Sequence, residues 1–197
     1  MLLALPLLWL GREWTLLLAG RGGRALGAEP VSFTIHHLGL WALRYLLGVL
    51  ALSLLARLRP FRPLLAFRRM VGLFAFACAA SHILVHVGLD LGFSAAALWR
   101  ETVRQRHILV GMLAFLALVP LAVTSTDGAV RRIGWRGWRR LHRLVYPAAG
   151  LAAVHFLLSV KGWQERPLVY AGITAMLLGA RLLPQRRKRA KEPRWTS

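Results

Sequence analysis

Apolar residues in this chain fall in long blocks separated by short basic or turn-forming stretches. They do not show the strict alternation of half-buried strands. A helix crosses a bilayer in about 20 apolar residues. Six such segments can be drawn, at about 2–19, 36–56, 70–91, 107–124, 141–160 and 168–183. The pattern predicts an all-α integral membrane protein, a bundle of about six transmembrane helices over residues 1–185 with a basic tail at 186–197. The first segment is the weakest, because Gly11, Arg12 and Glu13 interrupt it. It shows no clear basic n-region or small-residue cleavage site, so it reads as a membrane helix and not as a signal peptide. Pro60 and Pro63 break the chain after the second segment. Gly92 to Arg106 reads as a short amphipathic loop, Thr124 to Gly128 as a turn and Ala129 to Arg140 as a basic loop.

Composition sharpens this picture. Of the 197 residues, 57% are apolar and 17% charged, with a formal charge of +20. Such a charge fits either a nucleic-acid binder or a membrane protein with basic cytoplasmic loops. The arginines sit between apolar blocks, which favours the membrane and argues against a nucleic-acid partner. Residues 57–69 hold five Lys or Arg, residues 131–143 six and residues 181–197 seven, against seven in all in the loops of the other side. The positive-inside rule then puts the heavy side in the cytoplasm, with both termini there, as in a bacterial inner membrane. The single cysteine, Cys78, excludes an internal disulfide, a zinc site built on cysteines and a c-type haem attachment. It reads as a small buried apolar residue.

The candidate chemistry lies in the seven histidines, all in or at the ends of apolar segments. Ionisable groups inside spans are costly and mark functional sites. Neutral imidazole ligates iron well, and two imidazoles on facing helices would hold a haem between them. Counting from the basic side, His82 lies about 18 Å into the third segment. His155 lies about 20 Å beyond His142 on the fifth. His82 and His155 therefore share a depth in the outer half, as a bis-histidine b-type haem requires. His142 lies near the inner side without a histidine partner. On an ideal helix it stands some 140° from His155. Unless a kink at Pro147 or Gly150 rewinds the helix, these two face different clefts. His82, His155 and His142 are thus the candidate iron ligands. His36 is evenly placed between a structural role and a cofactor contact, and His86 ranks below His82. His37 and His107 read as interfacial polar residues. The acidic propionates of a haem call for arginines, and Arg44 and Arg143 are the candidates for that contact. Spacing alone does not separate a haem from a proton relay.

The stretches Gly27-Ala28-Glu29-Pro30, His36-His37-Leu38-Gly39-Leu40-Trp41-Ala42-Leu43-Arg44, Arg68-Arg69-Met70-Val71-Gly72-Leu73, Ser81-His82-Ile83, Leu121-Ala122-Val123-Thr124-Ser125-Thr126, Trp138-Arg139-Arg140-Leu141-His142-Arg143-Leu144-Val145-Tyr146, His155-Phe156 and Pro167-Leu168-Val169-Tyr170-Ala171-Gly172 resemble the MsrQ (YedZ) family. This is the haem-binding membrane subunit of the periplasmic methionine sulfoxide reductase system, in the ferric-reductase-like transmembrane group. The resemblance covers nearly the whole chain and implies heme b and FMN. It implies electrons drawn from the quinone pool, with a cytoplasmic flavin reductase as a second possible donor. The implied recipient is a periplasmic molybdopterin subunit, MsrP-like, in a heterodimer that repairs oxidised periplasmic proteins. His82, His142 and His155 match the family's haem-linked histidines, and His36 matches a further recurrent position. The family usually has more residues before the first span. The role implied is electron relay, not reduction of the final substrate. Alternatives are another transmembrane haem reductase, such as a metal reductase, or a small proton or ion transporter. No phosphate-binding fingerprint for FMN is visible in the sequence, so FMN rests on the resemblance.

Overall fold

The apolar blocks fold as helices, and their ends follow local chemistry. The structure is a computed structural model and describes residues 2–21, 24–160 and 164–182. α1 spans Leu5–Leu18, with Pro6 in its first turn where no intrahelical N–H is needed. α2 spans Pro30–Leu55 and starts on Pro30. α3 spans Arg68–Val85 and runs into a π-helical turn at His86–Asp90. α4 spans Ala95–Arg104, its first turn capped by Ser94 Oγ, which accepts from the Ala97 N–H at 3.1 Å. α5 spans Arg106–Val123, set off from α4 by the extended Gln105. α6 spans Asp127–Leu141 and is capped by Thr126 Oγ1, which accepts from the Ala129 N–H at 3.1 Å. A 3₁₀ turn at His142–Leu144 leads into α7, Val145–Ser159. α8 spans Glu165–Gly179.

Among the described residues, four helical stretches are long and apolar enough to cross a bilayer: Pro30–Leu55, Pro60–Asp90, Arg106–Val123 and Asp127–Ser159. They fall on four of the six expected spans. The first and sixth form shorter helices, α1 of 14 residues and α8 of 15. α1 runs unbroken through Gly11-Arg12-Glu13, where Arg12 Nη1 meets Glu13 Oε1 at 2.7 Å. α2 begins six residues before the expected start at 36, because Pro30 suits a first turn.

Two expected loops are helical instead. Gly92–Arg106 contains α4, and Ala129–Arg140 lies within α6. Both are amphipathic, so a search for uniformly apolar blocks passes over them. α6 is broken in its middle at Gly134, whose φ of 75° few residues other than glycine adopt. The expected basic tail at 186–197 lies outside the described residues.

α2 packs chiefly on α3, and α5 on α7, with α8 closing against α7 and α2. Lipid is as apolar as leucine, so helices associate here through close packing of small residues. Gly48 takes Val71 against its backbone, and Gly72 takes Val49, a reciprocal fit between α2 and α3. On α7, Ala148 and Ala149 are fully buried and Ala153 nearly so. Cys78 is buried and free, as a small apolar residue of the core. α1 is pinned to α2 by Trp14 Nε1, which donates to Thr34 Oγ1 at 2.9 Å. Tyr45 adds a bond from its hydroxyl to the Leu3 carbonyl at 2.6 Å. An Ala149→Leu variant is expected to lose about 1–3 kcal/mol through overpacking. Thermal unfolding in detergent, followed by circular dichroism, measures it. An unchanged melting temperature would show that α7 has room to spare.

Candidate functional site

Two cavities open within the bundle, one toward each end. The larger, about 650 Å³, lies where α2 and α5 begin and where α3 and α7 end. Its walls are mostly apolar, including Leu43, Leu46, Met112, Phe115 and Phe156. That volume is in the range of cofactor pockets, and apolar walls with few polar groups are their usual character. His82 from α3 and His155 from α7 project into this cavity. Their ring centroids are 6.1 Å apart and the rings stand nearly perpendicular, at 81°.

Each imidazole is fixed by its Nδ1. His82 Nδ1 donates to the Ile35 carbonyl of α2 at 2.8 Å. His155 Nδ1 donates to the His107 carbonyl of α5 at 2.7 Å. A carbonyl only accepts, so both Nδ1 atoms carry the proton and both Nε2 atoms keep a free lone pair. This is the state of a metal-ligating histidine, whose other nitrogen donates to a carbonyl or carboxylate. A metal–imidazole bond of about 2 Å puts the metal roughly 3 Å from the ring centre and two opposed rings about 6 Å apart. The His82 and His155 ring centres stand at that distance, 6.1 Å. Among the described residues no three His, Cys, Asp or Glu side chains converge as a ligand set for a bare ion. Two imidazoles over an apolar cavity suit instead a metal whose remaining ligands come with a flat apolar macrocycle. The residues present therefore fit a haem.

The other histidines take separate places. His36 lines the cavity and its Nδ1 donates to Ser32 O at 2.8 Å. His86 also lines it, in the π turn, with Nδ1 2.9 Å from Asp90 Oδ2 and Nε2 3.6 Å from Glu101 Oε2. His107 lines it as well, its ring 6.1 Å from that of His155. His37 faces α1 and stacks on Trp9 at 5.1 Å.

His142 lies at the other end. It lines the smaller cavity, about 400 Å³, with Arg68, Arg69, Trp135, Trp138 and Arg181. The 3₁₀ turn that holds His142 does not bring it round to the His155 face, so the two histidines serve different cavities. Thr124 Oγ1 donates to the Pro120 carbonyl at 2.6 Å, so at 3.1 Å it accepts from His142 Nε2. The His142 ring stacks on Trp138 at 3.9 Å. Its Nε2 is thus engaged, where those of His82 and His155 are free.

The arginines picked from sequence lie elsewhere. Arg44 Nε donates to the Tyr170 hydroxyl at 2.7 Å, and its guanidinium sits 4.8 Å over the Trp41 ring. Arg143 is exposed on the 3₁₀ turn. Neither lines a cavity, and among the described residues no Lys or Arg lines the larger one. The polar residues that line it are histidines, serines and acids. Gly39 and Gly111, which do not stand out in the sequence, lie against the His82 and His155 rings. Glycine inside a transmembrane helix is the available signal, since it marks close approach.

A model for the ferric reductase like transmembrane component matches residues 38–153. A Rhodospirillum rubrum protein described as the haem-binding subunit MsrQ of protein-methionine-sulfoxide reductase is 46% identical over 185 residues, 94% of this chain and 86% of the relative. The chain belongs to the MsrQ family. A Caulobacter vibrioides MsrQ is 44% identical over 94% of this chain and 85% of its own length. One from Xanthomonas campestris is 47% identical over 82% of this chain and 74% of its own. In this MsrQ family member the matched region includes Gly39, His82, Gly111 and His142, and stops two residues before His155.

Proposed function

We propose that this chain is the haem-bearing electron-transfer subunit of a methionine sulfoxide reductase, with one b-type haem held by His82 and His155. The observation that carries the proposal is the pair of imidazoles with free Nε2 atoms facing one apolar cavity, 6.1 Å apart. Bound haem supplies a ferric–ferrous couple. With His82 and His155 both holding the haem, no place for a substrate would remain at its iron, so this chain would relay electrons and the reduction of methionine sulfoxide would belong to a partner. The apolar walls and the fixed Nδ1 bonds keep the site dry and the ligand set constant, and these features tune a haem potential.

The basic end, with Arg68, Arg69, Arg131 and Arg132, is the cytoplasmic one by the positive-inside rule. On this reading the larger cavity lies on the periplasmic side of a bacterial inner membrane and serves an MsrP-like molybdopterin subunit there. Electrons enter from quinol or a cytoplasmic flavin reductase at the basic end. An FMN phosphate would meet Arg68 and Arg69 there, at the smaller cavity that Thr126 and Asp127 also line. Arg69 is already paired with Asp127 at 2.9 Å.

The test is spectroscopic. Protein purified in detergent is expected to show a Soret band, a sharp ferrous α-band of bis-imidazole type and a pyridine haemochrome of haem b. Reduction by a quinol analogue, followed by reoxidation with the molybdopterin partner and methionine sulfoxide, is the expected turnover. A correctly folded, colourless preparation would sink the proposal.

A further inference from the structure

The two candidate ligands sit in the same two-part device. On α2, the Ile35 carbonyl accepts the His82 Nδ1 proton and Gly39 lies beside the ring. On α5, the His107 carbonyl accepts the His155 Nδ1 proton and Gly111 lies beside the ring. In both cases the glycine follows the carbonyl by four residues. It is the residue whose own N–H bonds that carbonyl along the helix. A carbonyl has two lone pairs, so one can serve the helix and the other the imidazole. The imidazole reaches the second lone pair only by lying against the backbone at the glycine.

The distances show how little space is left. A Cβ on Gly39 would stand 3.1 Å from His82 Nδ1 and 3.2 Å from its Cε1. A Cβ on Gly111 would stand 2.7 Å from His155 Nδ1, 2.9 Å from Cε1 and 3.2 Å from Cγ. Both contacts fall on the edge of the ring that makes the hydrogen bond. Glycines that merely let helices approach look different. A Cβ on Gly48 would meet only Val71 Cγ1, at an ordinary 3.6 Å.

We infer that Gly39 and Gly111 are positioning residues for the two iron ligands, paired with the Ile35 and His107 carbonyls in a repeated carbonyl–glycine clamp. The inference rests on the haem reading above. A clamped imidazole shares its Nδ1 proton with a carbonyl, which makes Nε2 the stronger donor to iron and favours the ferric state. An alanine at either position pushes the ring off the carbonyl, weakens that donation and raises the reduction potential.

The experiment compares the purified haem protein with Gly111→Ala, Gly39→Ala and, as a packing control, Gly48→Ala. The readouts are the optically monitored redox titration, the low-spin electron paramagnetic resonance spectrum of the ferric form, and haem retention in detergent. Gly111→Ala is expected to have a more positive potential, a shifted low-spin signal and haem retention weakened by roughly 10- to 100-fold, as for loss of an outer partner of a ligand. Gly39→Ala should move the same way by less, since its contact is looser. Gly48→Ala should match the parent. If Gly111→Ala does not fold, Gly39→Ala decides on the same readouts. Parental potential and spectrum in the clamp variants, or an equal change in Gly48→Ala, would overturn the clamp and leave the haem reading intact. A colourless parent overturns both.

Discussion

Alanine at either His82 or His155 is expected to abolish the low-spin haem spectrum, while alanine at His142 leaves it in place. His82 and His155 face one cavity from α3 and α7, each with Nδ1 held by a carbonyl of a neighbouring helix and Nε2 free. On the proposed assignment, removing one would leave the iron with a single protein ligand. The loss should exceed the roughly 10- to 100-fold that removal of an outer partner costs. The residual species, if any is retained, should be high-spin and open to carbon monoxide when reduced. His142 engages its Nε2 with Thr124 and stacks on Trp138, so its loss perturbs the basic end of the bundle. Optical spectra of the three purified variants check this ordering. Loss of the signal in His142→Ala, with a parental spectrum in His82→Ala, would overturn the pairing.

Arg181→Met is expected to destabilise the bundle by about 1.5–3 kcal/mol, the range for hydrogen bonds to a charged group. Arg181 lies just past α8, where its Nη1 donates to the Tyr146 hydroxyl at 2.8 Å and its Nη2 to the Leu50 carbonyl at 2.7 Å. The guanidinium also stands 4.8 Å over the Tyr146 ring. One side chain therefore straps α8 to α2 and α7. Methionine keeps much of the stem and removes both bonds. For a chain of this size the loss corresponds to a melting temperature lower by about 5–10 °C. Thermal unfolding in detergent measures it, with Arg181→Lys expected in between. A parental melting curve for Arg181→Met would show that the strap adds nothing to stability.

Much of this architecture is legible in the sequence because the bilayer imposes a length on apolar segments. The stretches that became α2, α3, α5 and α7 stand out for that reason. α4 and α6 do not, since their polar faces interrupt the apolar run, and the positive φ at Gly134 hides α6 further. Counting rise along two helices was enough to place His82 and His155 at one depth. It also placed His142 apart from them, on a different face. The arginines were harder to read. Arg44 lies inside a span, where a cofactor contact is a natural expectation, yet it meets Tyr170, which lies 126 residues away in sequence. Gly39 and Gly111 were invisible as site residues because their role depends on which backbone faces which ring. That is settled only when α2 meets α3 and α5 meets α7.

The acceptors for His82 and His155 are main-chain oxygens, an atom that every amino acid carries. Mutational drift at positions 35 and 107 can therefore exchange the side chains there while the backbone acceptors of His82 and His155 are inherited unchanged. The tolerance to substitution is lopsided along each helix, wide at the residue that provides the bond and narrow at the glycine one turn later. A redesign that alters the cavity's polarity could thus begin at 35, whose carbonyl keeps its bond to His82 whatever the side chain.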